Sequence, residues 1–282
     1  MLRALLALGA AVVVAGAAGA YALGSAGVAA GAAESNANAA LESVGSHSDA
    51  IGASLDAGGL DTPGSPPDYA TARRAANDFV TRIAAALATV AADQARLRSA
   101  RAHLDTQSAG ALALPYRPGL DHQRARVGAM ISALDAAGAA LAIEQDQMRT
   151  LAALFDALSD LAVLTTREQQ GDLAGSLAVF PGLDAKLEAA ARLAQSPSNP
   201  PQLQKVLAGL LATSADLHEF LQAVQRNDRV AADSIQPLLD ADASAVGSFD
   251  QADMAAYEQT LLQPYRDRYE SGARAAGFSV KY

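Results

Sequence analysis

From Ala4 to Ala33 the chain carries no acidic or basic side chain, and no other feature constrains its fold and address as strongly. At about 1.5 Å per residue the run makes about 45 Å of helix, against roughly 30 Å for the hydrocarbon core of a bilayer. It is long enough to span a membrane. Its apolar strength is modest, resting on Leu5, Leu6, Leu8, Val12, Val13, Val14, Leu23 and Val28 with Ala, Gly, Ser25 and Tyr21 between them. Together those side chains contribute about −2 to −5 kcal/mol toward insertion.

Arg3 is the only basic side chain before the run. Glu34, Glu42, Asp49, Asp56, Asp61 and Asp68 all follow it before the first basic pair, Arg73 and Arg74. The positive-inside bias places the N-terminus in the cytoplasm and the remainder outside, as a single-pass protein of the cell membrane. A cleavable secretory signal fits the same residues, with Arg3 as its n-region and Ala4 to Gly16 as its h-region. Small-residue cleavage sites then lie at Ala18-Gly19-Ala20 or Ala20-Tyr21-Ala22, and the protein is secreted. Either way the chain is exported. Gly27 and Gly31 form a GxxxG spacing, which lets two spanning helices approach, although in so Gly- and Ala-rich a segment composition alone produces it.

The remainder is built for helices. Apolar residues make up 51% of the 282 residues, but aromatics only 5%, with no Trp, so Ala, Leu and Val must fill the interior. That suits close helix packing better than a sheet rich in aromatic and β-branched side chains. There is no cysteine, which removes disulfides, thiolate metal sites and cysteine nucleophiles. A net charge of −9 argues against nucleic acid or an anionic membrane surface as the main partner.

Residues 34–56 show an amphipathic pattern through Leu41, Val44, Ile51 and Leu55, a short helix weakened by Gly45 and Gly52. AGGLDTPGSPPD, residues 57–68, is too dense in Gly and Pro for helix or strand and forms a linker. A long helix starts with Asp68 as N-cap and runs to about Thr106, with a seam through Ala76, Val80, Ile83, Leu87, Val90, Leu97 and Leu104. The basic residues Arg96, Arg98, Arg101 and His103 suit the negative end of its dipole. ALALPYRPGLD, residues 111–121, breaks it, and Asp121 caps a second long helix through Val127, Ile131, Leu134, Leu141, Met148, Leu151, Phe155, Leu158 and Ala162. Glu144 and Gln145 sit at the edge of that stripe, where a carboxylate keeps its head in solvent. Phe180-Pro181-Gly182 interrupts the next stretch. SPSNPPQ then opens a helix with Asn199 as N-cap, Pro200 at the first position and Gln202 in the capping box. That helix buries Leu203, Val206, Leu210, Leu217, Leu221 and Val224. An interrupted helical stretch around Pro237 follows, and Ser248 with Gln251 caps a last helix kinked at Pro264.

The expected fold is therefore all-α: an antiparallel bundle of long helices preceded by an N-terminal membrane-anchor or signal helix. Residues 1–33 form the anchor or signal, 34–68 a juxtamembrane helix and Gly/Pro linker, and 69–282 an extracytoplasmic bundle with a subdivision near residue 171 as an option.

Sites for chemistry are scarce. None of His47, His103, His122 and His218 lies three residues after a glutamate, as a di-iron bundle requires, and His47 reads as an exposed polar residue. The stretch from Asp240 to Ser244 resembles half a calcium loop but has Ala245 and Gln251 where Gly and Glu are needed. Motifs for serine hydrolases, zinc proteases and phosphate loops are absent. No enzyme activity, cofactor or metal is expected. Tyr257, Tyr265, Arg266, Arg268 and Tyr269 are the densest polar-aromatic group, readable as a partner surface or as the core stripe of the last helix. The expected role is an interaction, scaffold or sensor-type module of the cell envelope, partnered by the membrane and by envelope proteins. The alternative is a soluble exported protein that binds a small ligand in a pocket including Gly138 and Gly209.

Overall fold

The computed structural model describes residues 2–56, 68–247 and 251–279, with side chains described for 21–55, 68–241 and 256–279. In chain order the helices are α1 (Leu2–Asp56), α2 (Tyr69–Ser108), a 3-10 turn (Ala111–Tyr116), α3 (Arg117–Gln169), α4 (Leu173–Leu177) and α5 (Phe180–Ala194). They continue with α6 (Pro201–Gln225), α7 (Arg229–Gly247) and α8 (Gln251–Ala275). No strand occurs among the described residues, so the chain is all-α. The linker at 57–67 and the cap residue Ser248 lie outside the described residues.

The chain divides into two compact units interleaved in sequence. Unit 1 comprises Met1–Leu55, Ala88–Gly138 and Tyr265–Tyr282; unit 2 comprises Asp56–Leu87 and Ala139–Pro264. Helices α2, α3 and α8 each contribute to both.

In unit 1, the stripe Leu41, Val44, Ile51 and Leu55 of α1 is buried as its spacing predicts, preceded by Ala30, Ala33 and Ala37. It belongs to one helix continuous from Leu2, because Gly45 and Gly52 cost helix propensity without breaking a packed helix. Val90, Leu97 and Leu104 of α2, Val127, Met130 and Leu134 of α3, and Tyr269 and Ala273 of α8 complete the core. The small residues permit close helix approach: a Cβ on Gly272 would lie 2.8 Å from the Ala129 carbonyl oxygen. Long polar side chains then bind backbone across the packing. Arg126 donates from Nε to the Ala276 carbonyl at 3.0 Å, Tyr269 donates to that of Ser48 at 3.3 Å, and Arg266 donates to that of Leu55.

Unit 2 has Leu154, Leu164, Phe180, Leu183, Leu187, Leu203, Leu207 and Leu221 in one cluster with Ala157, Ala190 and Ala194. Pro181 sits at the start of α5, where its missing N–H costs nothing, so the Phe180-Pro181-Gly182 break is a helix start. Asp172 caps α4 by accepting from the Gly175 amide at 2.9 Å. Asp68 caps α2, accepting from the amides of Ala70 and Thr71, both at 3.1 Å. The Thr71 hydroxyl and amide bonds hold the Asp68 carboxyl below its usual range.

Several sequence expectations are corrected. Asp121 lies inside α3, whose first turn begins at Arg117 directly after the 3-10 turn. Asn199 is not the N-cap of α6; Pro200 occupies that position without a side-chain bond, and Asn199 is buried elsewhere. Val224 is exposed, because α6 ends one residue later. Glu144 does not reach solvent: it is fully buried, as is Thr150 and as Gln145 and Gln147 nearly are, because the middle of α3 is enclosed on more than one face. Among the described residues, one helix, Ala111–Gln169, is long and apolar enough to cross a membrane, and 56% of its apolar window is buried within the protein.

Candidate functional site

The aromatic and arginine group of α8 is divided between the two units. Tyr269 is only 1% exposed, so it belongs to the core of unit 1 and not to a partner surface. Arg266, half-buried, is committed to the Leu55 carbonyl. Tyr265 is half-buried and Arg268 exposed. Tyr257 lies in unit 2, where its hydroxyl donates to the Pro197 carbonyl at 3.2 Å. Spacing of four and eight residues lines up one helix face, and burial then separates its members.

His47, read from sequence as an exposed polar residue, keeps 38% of its side chain exposed and also makes a specific contact. Its Nδ1 lies 2.8 Å from Oδ2 of Asp93, a carboxylate with no exposed surface. Arg96 donates to the other oxygen of Asp93 at 3.2 Å and to the Ser43 hydroxyl at 2.9 Å. A buried carboxylate is retained only where cations and donors surround it, and here two helices supply them. The signal was hidden because Asp93 occupies a seam position of α2 between Val90 and Leu97, while its partner is 46 residues away.

His218 stacks flat on Phe180, with ring centroids 4.5 Å apart, and its Nε2 accepts from Gln222 at 3.0 Å. One turn earlier, Ser214 donates to Asp184 at 2.6 Å. The serine proton therefore points to the carboxylate and not to the histidine, and the ring stack and the serine–carboxylate bond knit α5 to α6. The core between these helices leaves a void of about 20 Å³, room for about one water.

Gly138 and Gly209, expected to share a pocket, belong to different units. A Cβ on Gly138 would meet Val90 at an ordinary 3.6 Å, so that glycine lies in a packed seam. Unit 2 instead presents an open cleft of about 540 Å³, lined by Arg73, Arg74, Asn77 and Asp78 of α2, Arg149, Ala152, Ala153 and Asp156 of α3, and Leu193 of α5. Arg73 pairs with Asp156, Arg149 lies 3.7 Å from Asp146, and Arg74 donates to the Thr71 hydroxyl at 2.9 Å. Lys186 adds a cation 3.5 Å from Asp156 and 2.8 Å from Asp160. Burial lowers the Lys186 pKa, but its bond to Asp160 and the charges of Asp160 and Asp156 outweigh that and hold it above the usual lysine value.

The N-terminal end of unit 1 is the other exceptional region. Tyr21 and Val28 of α1 are 82% and 75% exposed, and Leu23 is exposed too. Gly27, half of the GxxxG spacing, is covered by the Tyr116 ring, whereas Gly31 has nothing within 4 Å of an added Cβ. The Asp240 stretch is exposed where described, and its continuation from Asp242 lies beyond the described side chains. In comparisons with known proteins, no family model, no curated protein and no solved structure matches the chain.

Proposed function

We propose that this is a membrane-anchored module of the cell envelope, with its N-terminus in the cytoplasm, α1 crossing the bilayer, and an antiparallel helical bundle outside serving as an interaction, scaffold or sensor module. One observation carries the reading: the apolar run and the buried stripe Leu41, Val44, Ile51 and Leu55 belong to a single unbroken helix. Such a helix couples an anchor to a folded body without a flexible joint. Support for the antiparallel arrangement comes from α1 and α2, where Ser43 pairs with Arg96 and His47 with Asp93, so that numbers rise on one helix as they fall on the other. Exposed Tyr21, Leu23 and Val28 favour retention over cleavage, since cleavage after Ala20 or Ala22 would leave apolar side chains at a free end in water. The apolar stretch of α3 is read as a core helix, because it carries the buried polar residues Glu144, Gln147 and Thr150.

The test is the intact mass and membrane fraction of the protein from its native or a related host. Full-length mass in a carbonate-washed pellet supports the anchor. A soluble chain beginning at Tyr21 or Leu23 overturns it in favour of secretion. The second reading, an exported soluble protein that holds a small ligand between helices, draws on the arginine-lined cleft and specifies an anionic ligand. Titration with inorganic phosphate or citrate, followed by calorimetry, tests it against an Arg73→Gln, Arg149→Gln variant.

A further inference from the structure

Two stretches of unit 1 expose apolar side chains at the same level. On α1 these are Tyr21, Leu23 and Val28; on the 3-10 turn they are Leu112 and Leu114. The turn is fixed against α1 by its last residue. The Tyr116 hydroxyl donates to the Leu23 carbonyl at 3.3 Å, and the ring sits so close to Gly27 that an added Cβ would lie 2.6 Å from the phenol oxygen. Leu112 and Leu114 are therefore only a few residues of tight helix from the Leu23 to Gly27 level of α1.

That level is specific when measured along α1. From Leu2 to Ala22 the helix rises about 30 Å, the thickness of a bilayer core. If that length spans the membrane, Leu23 emerges at the lipid headgroups, and the turn emerges with it. Charge follows the same division. The chain carries a net charge of −9, yet residues 4–33 and 106–120 contain no Asp or Glu. Tyr21 and Tyr116 occupy the headgroup level that amphipathic aromatic rings prefer, and exposed Arg117 next to the turn places a cation there.

We propose that Ala111–Tyr116 is a membrane-contacting foot, whose Leu112 and Leu114 insert into the lipid interface on the side where the bundle lies. The proposal rests on the reading of α1 as an anchor and adds a second point of contact. An anchor alone leaves a body free to pivot. An anchor with a foot bonded to it at Leu23 fixes the inclination of unit 1 to the membrane. Insertion is driven by apolar surface, so it operates on neutral lipid despite the acidic chain.

The absence of cysteine allows single-site labelling of the full-length protein. Leu114→Cys, Val13→Cys and Leu193→Cys variants, each carrying an environment-sensitive nitrobenzoxadiazole dye, would be reconstituted into phosphatidylcholine vesicles containing lipids spin-labelled at shallow or deep positions. Leu193 is an exposed leucine of unit 2 and controls for insertion by the dye itself. The expected result is quenching of the Val13 probe by the deep label, quenching of the Leu114 probe by the shallow label, and an unquenched Leu193 probe. A quenched Val13 probe with a Leu114 probe no more quenched than that at Leu193 overturns the foot and leaves the anchor standing. If the Val13 probe is also unquenched, the anchor reading falls and the foot falls with it.

Discussion

The two units solve the same packing problem with different materials. Unit 1 is assembled from three stretches far apart in the chain, and beside leucines and valines its core places Ala30, Ala33, Ala37, Ala133, Ala136 and Ala137. Such residues bring helices close but bury little area each, so unit 1 adds side-chain bonds to backbone, from Arg126, Arg266 and Tyr269, across sequence separations of 150 to 221 residues. Unit 2 draws mainly on successive helices, with a core of Phe180 and leucines interspersed with Ala157, Ala190 and Ala194. Its local contacts close shorter loops at lower entropic cost. Side-chain bonds to backbone occur in unit 2 as well, but over separations of 60 residues or fewer. The contrast teaches that a core assembled from distant stretches is pinned by polar side chains reaching across it, and one from successive helices chiefly by local packing.

Removing the largest buried side chain of each unit breaks the comparison most directly. Tyr269→Ala and Phe180→Ala should each cost about 3–5 kcal/mol, the range for emptying a buried aromatic site. Their patterns should differ. By amide hydrogen exchange on the full chain, Tyr269→Ala should deprotect residues 41–55 and 265–275, while Phe180→Ala should deprotect α5 and α6. Loss of protection across the same amides in both variants would mean that the units unfold as one.

A smaller effect tests whether unit 2 also depends on a polar lock. Asn199, 2% exposed, donates from one amide nitrogen to Thr150 Oγ1 and to the Leu193 carbonyl, each at 3.0 Å, and Gln147 donates to the Ser198 carbonyl at 2.8 Å. Asn199→Ala leaves Thr150 Oγ1 without that donor, while the Leu193 carbonyl keeps the Ser196 amide, and should cost about 1–3 kcal/mol. Denaturant titration would show a lower midpoint at unchanged slope. An unchanged midpoint would mean that the loop is held without Asn199, by packing and by the remaining bonds from Gln147 and Tyr257.

The same residues show what sequence pattern reveals and where it stops. Leu41, Val44, Ile51 and Leu55 on α1, and Ile83, Val90, Leu97 and Leu104 on α2, were legible because each helix buries one stripe. The middle of α3 was not, because a helix enclosed on several faces has no single stripe, and Glu144 at its edge then lies inside. Asn199 reads as a cap from its neighbours Pro200 and Gln202, yet tertiary demand for an amide donor at Thr150 claims it. His47 and Asp93 each look ordinary alone, and only the fold joins them. The apolar character of ALALPY was visible, but its level beside Leu23 depends on the Tyr116 contact, which no periodicity encodes.

The smallest expected effect has a sign that pH can check. Lys186 of α5 lies between Asp160 and Asp156 of α3, partly in solvent, so its pairs should contribute less than about 1 kcal/mol. Its folded pKa is raised above the unfolded 10.5. A cation stabilised by folding contributes fully below the unfolded value and loses that contribution as pH rises through the folded one. Lys186→Gln should therefore lower the melting temperature slightly at pH 7 to 9, and the gap from the parent should close as pH climbs past 10.5. Asp156 keeps Arg73 in the variant, which bounds the loss. A gap that stays constant into the alkaline range would assign the effect to the packing of the lysine stem against α3. Unit 2 would then owe its α3–α5 contact to apolar surface alone, and the division between polar locks in unit 1 and local packing in unit 2 would be sharper than its surface ion pairs imply.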